Sequence, residues 1–451
     1  MNAWICCNKS EPKWPINALE RALVASEAVR SGCPIVALKQ SPSARRPTVL
    51  IVSCPLASNV LKQNETRGSD NQSDDPSDEE EEDRASEIPS CVLHKPEKIS
   101  PLLKYALTNA NGEIWSRQRP IVARALTAKR PREQASIHAT KTAMEQIRSS
   151  ILPHTIDVRH LSLTIAARAM CVAVVGADKG NELEAPLKGL FLPSLLPDRG
   201  EQAKVFTKQL NQLIEGIVKF ETPGSETFVQ SLLQVEPSLR RPEIVSNAHS
   251  ALLAGTQTIS TTIAGTLMHL AERPDLQSSS SFPGRAAVLE TLRVLPPVSS
   301  LPRVPTESKL KLGGDDRHHA STVQRGDMFL IDLLAMAHAE DGDSSQCTWK
   351  WTPKGTKPKS SSSTDTTRNS AAPWGMGKRK CPAGALSVEC VSSVLEELVN
   401  SGLQWRLADP TSNSVGSTGR HGWIQRVIYK PTVGYPFPLR VIFEPNAMDN
   451  E

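Results

Sequence analysis

Apolar and small residues fill the stretch from Ile244 to Leu270 without a proline or a formal charge, and this reads as one long helix. Its Thr256, Gln257, Thr258, Ser260, Thr261 and Thr262 make it too polar for hydrocarbon, so it is an interior helix, not a membrane span. A second helix is written in Val391, Val394, Leu395 and Leu398, which recur at helical spacing and stop at Gly402, a residue suited to a helix C-terminus. Its start is placed at Cys381, with Pro382 as the first helical residue. Helical patterns also run from Ile156 to Phe220, broken at Gly176 and at Pro193 to Pro197, and from Arg285 to Leu295. Strands are expected at Thr48 to Cys54, Trp423 to Tyr429 and Leu439 to Phe443, where β-branched and alternating residues gather. From Val323 to Ala337 the pattern reads as a glycine-centred hairpin and a strand turning into a helix. The whole predicts a mainly α fold with a small β portion, in a single domain over residues 1–451.

Composition sharpens this. Only 4% of the 451 residues are aromatic against 39% hydrophobic, so the core must be built from Leu, Val, Ile and Ala. Nine cysteines at irregular spacing, with no CxxC pair, argue against a disulfide framework and against structural zinc. The first thirty residues hold no long apolar run, because Lys9, Glu11 and Lys13 interrupt it, so neither a signal peptide nor a membrane anchor is expected there. A soluble, cytoplasmic protein follows, or a membrane-associated one if an anchor is missing. Residues 64–90, with the acidic run Asp78 to Asp83, cannot bury enough apolar surface to order themselves and read as a solvated insertion. A second one, rich in Ser, Thr and Lys, covers residues 354–372. With a formal charge of +4 overall, the chain outside the acidic run is distinctly basic. No aromatic-interleaved basic patch points to nucleic acid, and an acidic protein partner fits better.

The chemistry concentrates in Pro373 to Gly384, PWGMGKRKCPAG. Gly375 and Gly377 free the backbone to turn, Lys378 and Arg379 set positive charge beside Cys381, and a helix N-terminus favours thiolate over thiol. Such a sulfur is a nucleophile or a metal ligand, and no suitably placed histidine base is evident for the first role. Elsewhere Trp115 and Arg119 share one helix face, and Pro120 is expected to bend or end that helix.

The spacing of Trp374, Gly377, Arg379 and Cys381 resembles the cysteine loop of the cytochrome P-450 haem-thiolate enzymes, with Trp374 where the family usually has Phe and Ala383 where it has Gly. Three further motifs follow in family order. Trp115 and Arg119 resemble the pair that reaches a haem propionate, and Ala254 to Thr258 (AGTQT) resembles the oxygen-helix motif, whose small residues let the helix pass close over haem. Glu290 and Arg293 resemble the ExxR pair that holds the cysteine loop's scaffold.

The resemblance implies a cytochrome P-450 fold carrying haem b, with Cys381 as the axial iron ligand and Trp115, Arg119, Arg303 and Arg379 on the propionates. Thr258 and Gln257 fall at the catalytic positions, but Gln257 replaces the usual acid, and an amide relays no proton. Trp349, Trp351 and Pro353 match the segment before an arginine that completes the ExxR network, and Gly355 stands in its place, with Lys354 or Arg368 as substitutes. The implied activity is O2-dependent monooxygenation of a small, largely apolar substrate, of the kind found in secondary metabolism. Its electrons would come from NAD(P)H through a separate reductase or ferredoxin docking near Lys350, Lys378 and Lys380. An oxygen-independent haem-thiolate isomerase or dehydratase and a non-catalytic haem-binding protein are the alternatives.

Overall fold

The computed structural model describes residues 35–38, 48–51, 93–94, 101–149, 151–191, 199–235, 239–277, 282–305, 309–312, 321–324, 328–334, 351, 353, 373–408, 428–429, 433–434 and 439–445. Both insertions, residues 64–90 and 354–372, lie largely or wholly outside these, as do Trp349, Lys350, Lys354, Gly355 and Arg368. The helices are α1 (Gly112–Thr127), α2 (Lys129–Arg148), α3 (Val158–Val175), α4 (Ala177–Phe191), α5 (Arg199–Phe220), α6 (Phe228–Gln234), α7 (Arg241–Ala271), α8 (Arg285–Val294) and α9 (Gly384–Asn400). Strands β1 (Ile35–Leu38), β2 (Thr48–Ile51), β3 (Leu93–His94), β5 (Ser300–Pro305) and β8 (Met328–Asp332) form a sheet of order β1-β2-β8-β5-β3. A three-stranded antiparallel sheet joins β4 (His154–Asp157), β12 (Arg440–Pro445) and β9 (Leu403–Leu407). Two small hairpins pair β6 (Lys309–Leu312) with β7 (Ser321–Gln324) and β10 (Ile428–Tyr429) with β11 (Val433–Gly434).

The core is built around α3, which packs on α7, α2 and α4. Asp157 caps it by accepting from the Arg159 N–H at 3.1 Å, and Gly176, at φ 91°, ends it. By length and composition α3 would serve as a membrane span, yet 78% of it is buried against its neighbours, as expected of a helix enclosed by others. Against α3 lies α7, and Met170 fills the space a side chain at Gly255 would need: a Cβ there would sit 2.6 Å from its sulfur. The smallness of Gly255 therefore serves the packing of α3 on α7.

Local pattern misleads at three places. The α1 helix continues through Pro120: Ser116 and Pro120 are both exposed, on a face where the carbonyl that loses its donor can turn to solvent. The helix after Cys381 begins only at Gly384, since the Cys381 N–H turns back to the Trp374 carbonyl at 2.8 Å and the first forward bond is Ser387 N–H to the Ala383 carbonyl. The described strands of Val323 to Ala337 do not pair with each other as a hairpin: β7 pairs with β6, while β8 lies between β2 and β5 in the larger sheet. Gly402, at φ 68°, does close α9.

The N-terminus of α7 is pinned by Glu243, fully buried and bound by Arg117 of α1, Arg240 and Gln118. Burial alone would raise its carboxyl, but the bonds from Arg117 and Arg240 outweigh it and hold the pKa at about 2. The folded pKa lies below the unfolded one, so this contribution is complete above about pH 4.5 and is lost as pH falls toward 2. Glu243→Gln should cost on the order of 3 kcal/mol at neutral pH and flatten the acid limb of the stability profile, measured by urea denaturation against pH.

Candidate active site

Three segments meet around Cys381: α1, strand β5 and the cysteine loop itself. Trp374 to Cys381 is a tight excursion closed by the 2.8 Å bond between its ends, with Gly375 (φ 73°) and Gly377 (φ 67°) supplying the left-handed turns. A Cβ on Gly384 would sit 3.2 Å from the Trp374 indole nitrogen, so the ring lies flat against the start of α9. Cys381 is exposed, in contrast to Cys171 and Cys390, whose thiols burial pushes up, that of Cys390 to about 12.

Three guanidiniums surround the loop. Arg119 donates to the Lys380 carbonyl at 2.6 Å. Burial lowers its pKa, and the proximity of Cys381 works the other way, so Arg119 sets a positive charge beside that sulfur. Arg379 donates to the Ala110 carbonyl (3.1 Å) and to Asn111 Oδ1 (3.2 Å), and lies 4.7 Å over the Trp115 ring. Arg303, only 3% exposed on β5, donates to the Pro302 carbonyl at 2.8 Å and keeps its buried Nε without a partner among the described residues. Burial and then repulsion from Arg303 and Arg119 bring Arg379 to about 10, and burial alone brings Arg303 to about 10. None of the three meets a carboxylate among the described residues. Buried like charges with an orphaned N–H are a socket for an anionic group, and carboxylates such as the propionates of a haem fit it.

Helix α7 carries the other motif. Its Ser246–Ser250 and Thr261–Ala271 stretches are buried, but between them Ala251 and Thr258 are partly open and Ala254 is exposed, at i, i+3 and i+7 on one face. The Thr258 hydroxyl donates to the Ala254 carbonyl at 2.8 Å, and Gln257 is half-buried beside it. Glu290 and Arg293 form the expected pair on α8, with bonds of 2.9 and 2.8 Å. Sequence reasoning missed Glu243 as the pin of α7 and the Lys380 carbonyl as the partner of Arg119. The Arg117–Glu243 and Arg119–Lys380 pairings have no local signature, since each joins segments more than a hundred residues apart.

No protein-family model matches the chain. A stretch of 159 residues, 30% of this chain, is 28% identical to the averantin hydroxylase of Aspergillus parasiticus, and spans about a third of that protein's length (32%). Among solved structures, retinoic acid-bound cyanobacterial CYP120A1 is similar at a TM-score of 0.66 and 16% identity, with 93% of each chain covered. P-450 OxyD, involved in the biosynthesis of vancomycin-type antibiotics, is similar at 0.67 and 17% identity, covering 95% of this chain and 96% of its own. CYP109E1 from Bacillus megaterium, in complex with corticosterone, is similar at 0.65 and 15% identity, covering 94% and 99%.

Because Gly375 sits at φ 73° with Leu301 3.3 Å from any added Cβ, Gly375→Ala should cost about 1–2 kcal/mol, read from denaturation followed by tryptophan fluorescence.

Proposed function

We propose that this chain, whose fold is that of the cytochromes P-450, is a haem-thiolate monooxygenase acting on a small, largely apolar molecule. The observation that carries the reading is the exposed sulfur of Cys381 beside three guanidiniums that lack a carboxylate among the described residues. When bound, haem would supply oxygen activation at an iron held by the Cys381 thiolate. The protein's part is to hold and orient. Arg119, Arg303, Arg379 and Trp115 would carry the propionates, and the socket's lost solvation makes that charge pairing worth more than at an open surface.

On the α7 side Thr258 is the proton-handling residue. Its hydroxyl hydrogen is committed to the Ala254 carbonyl, so its lone pairs are turned outward to accept from a water, and rotation about χ1 lets it donate instead. Gln257 orients such a water through its amide but cannot pass on a proton, so protons must come from solvent. Electrons would come from NAD(P)H through a separate donor, for which the exposed Lys378 and Lys380 offer a basic landing surface. A place in secondary metabolism fits the tasks named for OxyD and averantin hydroxylase.

Gln257 favours a second reading, an oxygen-independent isomerase or dehydratase acting on a peroxide, because such chemistry needs no proton relay; it predicts turnover without any reductase.

The reduced, CO-bound protein should show the strongly red-shifted Soret band of a thiolate ligand, and Cys381→Ala should lose it together with all oxygenation. A wild-type chain that stays colourless after haem supplementation overturns the assignment. Replacing Gln257 by Glu should raise the product formed per NADPH consumed, while Thr258→Ala should lower it roughly tenfold or more; a Glu variant no better coupled than wild type argues for the peroxide reading.

A further inference from the structure

Trp351 belongs to the segment that leads to the cysteine loop, and the sequence has Gly355 where the family carries the arginine that ties this segment to the ExxR pair. The structure shows a different tie. Trp351 is 6% exposed, its ring lies against that of His269 with centroids 5.1 Å apart and planes 7° from parallel, and its indole N–H donates to Thr291 Oγ1 at 3.1 Å. Thr291 in turn donates to the Ala287 carbonyl at 2.9 Å, which fixes its oxygen as an acceptor. His269 stands on α7, eleven residues beyond Thr258, and Thr291 follows Glu290 directly on α8. One side chain therefore joins the oxygen-side helix, the helix of the Glu290–Arg293 pair and the segment ahead of Cys381. The contact combines a ring stack with a hydrogen bond between two uncharged side chains, the indole and the threonine hydroxyl.

We propose that Trp351 is a positioning residue for the Cys381 thiolate, doing through His269 and Thr291 what a guanidinium does elsewhere in the family. The inference rests on the haem-thiolate reading and extends it to residues outside the ligand's reach. Loss of the tie frees the segment ahead of the loop, and the sulfur then holds iron less often as thiolate.

The test uses the full-length, haem-loaded chain and its reduced CO spectrum, where the red-shifted band reports thiolate ligation and the ordinary band its loss. Thr291→Val removes the indole bond while keeping volume, and Trp351→Phe removes it while keeping an aromatic ring against His269. Both should raise the ratio of ordinary to red-shifted form by about fivefold, with far-UV circular dichroism unchanged. His269→Phe preserves the stack and should stay near wild type, whereas His269→Ala should follow Trp351→Phe. Trp405→Phe is the control: it breaks an equally buried indole bond, to the Leu267 carbonyl at 3.0 Å, and should lower the thermal midpoint without moving the ratio. If Trp351→Phe and Thr291→Val keep the wild-type ratio, or the Trp405 control shifts it as far, the positioning role is overturned. A wild-type chain lacking the red-shifted band overturns the haem-thiolate reading instead, and this inference with it.

Discussion

A single backbone bond, Cys381 N–H to the Trp374 carbonyl at 2.8 Å, sets the place of the sulfur, and the rest of the site is arranged around it. It turns the Cys381 amide back into its own loop, delays the start of α9 to Gly384 and leaves the side chain at the open end of the turn. Two glycines at positive φ allow the turn, and the flat Trp374 ring against Gly384 keeps it from opening. A thiol that must meet an external group cannot be buried, so it has to be held by backbone instead of by packing.

The same loop gathers positive charge at some cost. Arg303 and Arg379 are largely dehydrated and repel one another, and in the protein alone their partners are carbonyls, an amide oxygen and an indole face. Neutral acceptors satisfy N–H groups but do not neutralise charge. The protein alone thus carries an unbalanced positive charge around Cys381, which a dianionic group would relieve. Binding and local order are coupled here, because the residues that would grip the carboxylates are those that now join α1 to the cysteine loop.

How much of this was legible depended on whether the signal was local. The glycine turns, the helix over Arg285 to Val294, the Glu290–Arg293 pair and the Gly402 terminus were all readable, because each is decided within a few residues. Pro120 misled, since its effect depends on whether the orphaned carbonyl reaches water, a property of the tertiary surface. The start of α9 misled for a similar reason: the pattern could not reveal that Cys381 bonds backward. Gly255 was recognised as necessarily small, but its neighbour Met170 lies 85 positions earlier and left no trace nearby. The role of Trp351 was similarly out of reach without its partners on α7 and α8.

Helix α7 is clamped at both ends, by the Glu243 cluster at the start and, near its finish, by the Trp405 indole on the Leu267 carbonyl. Thr258 lies nine residues from that second clamp, a span of about 13 Å along the axis. Pivoting by about 5° at Leu267 would sweep Thr258 sideways by about 1 Å, an error large enough to cost on the order of a hundredfold in a reaction that depends on alignment. In the proposed enzyme, substitutions near Glu243, a long way from any sulfur or oxygen chemistry, would act on the rate as a crowbar acts on a stone, through leverage.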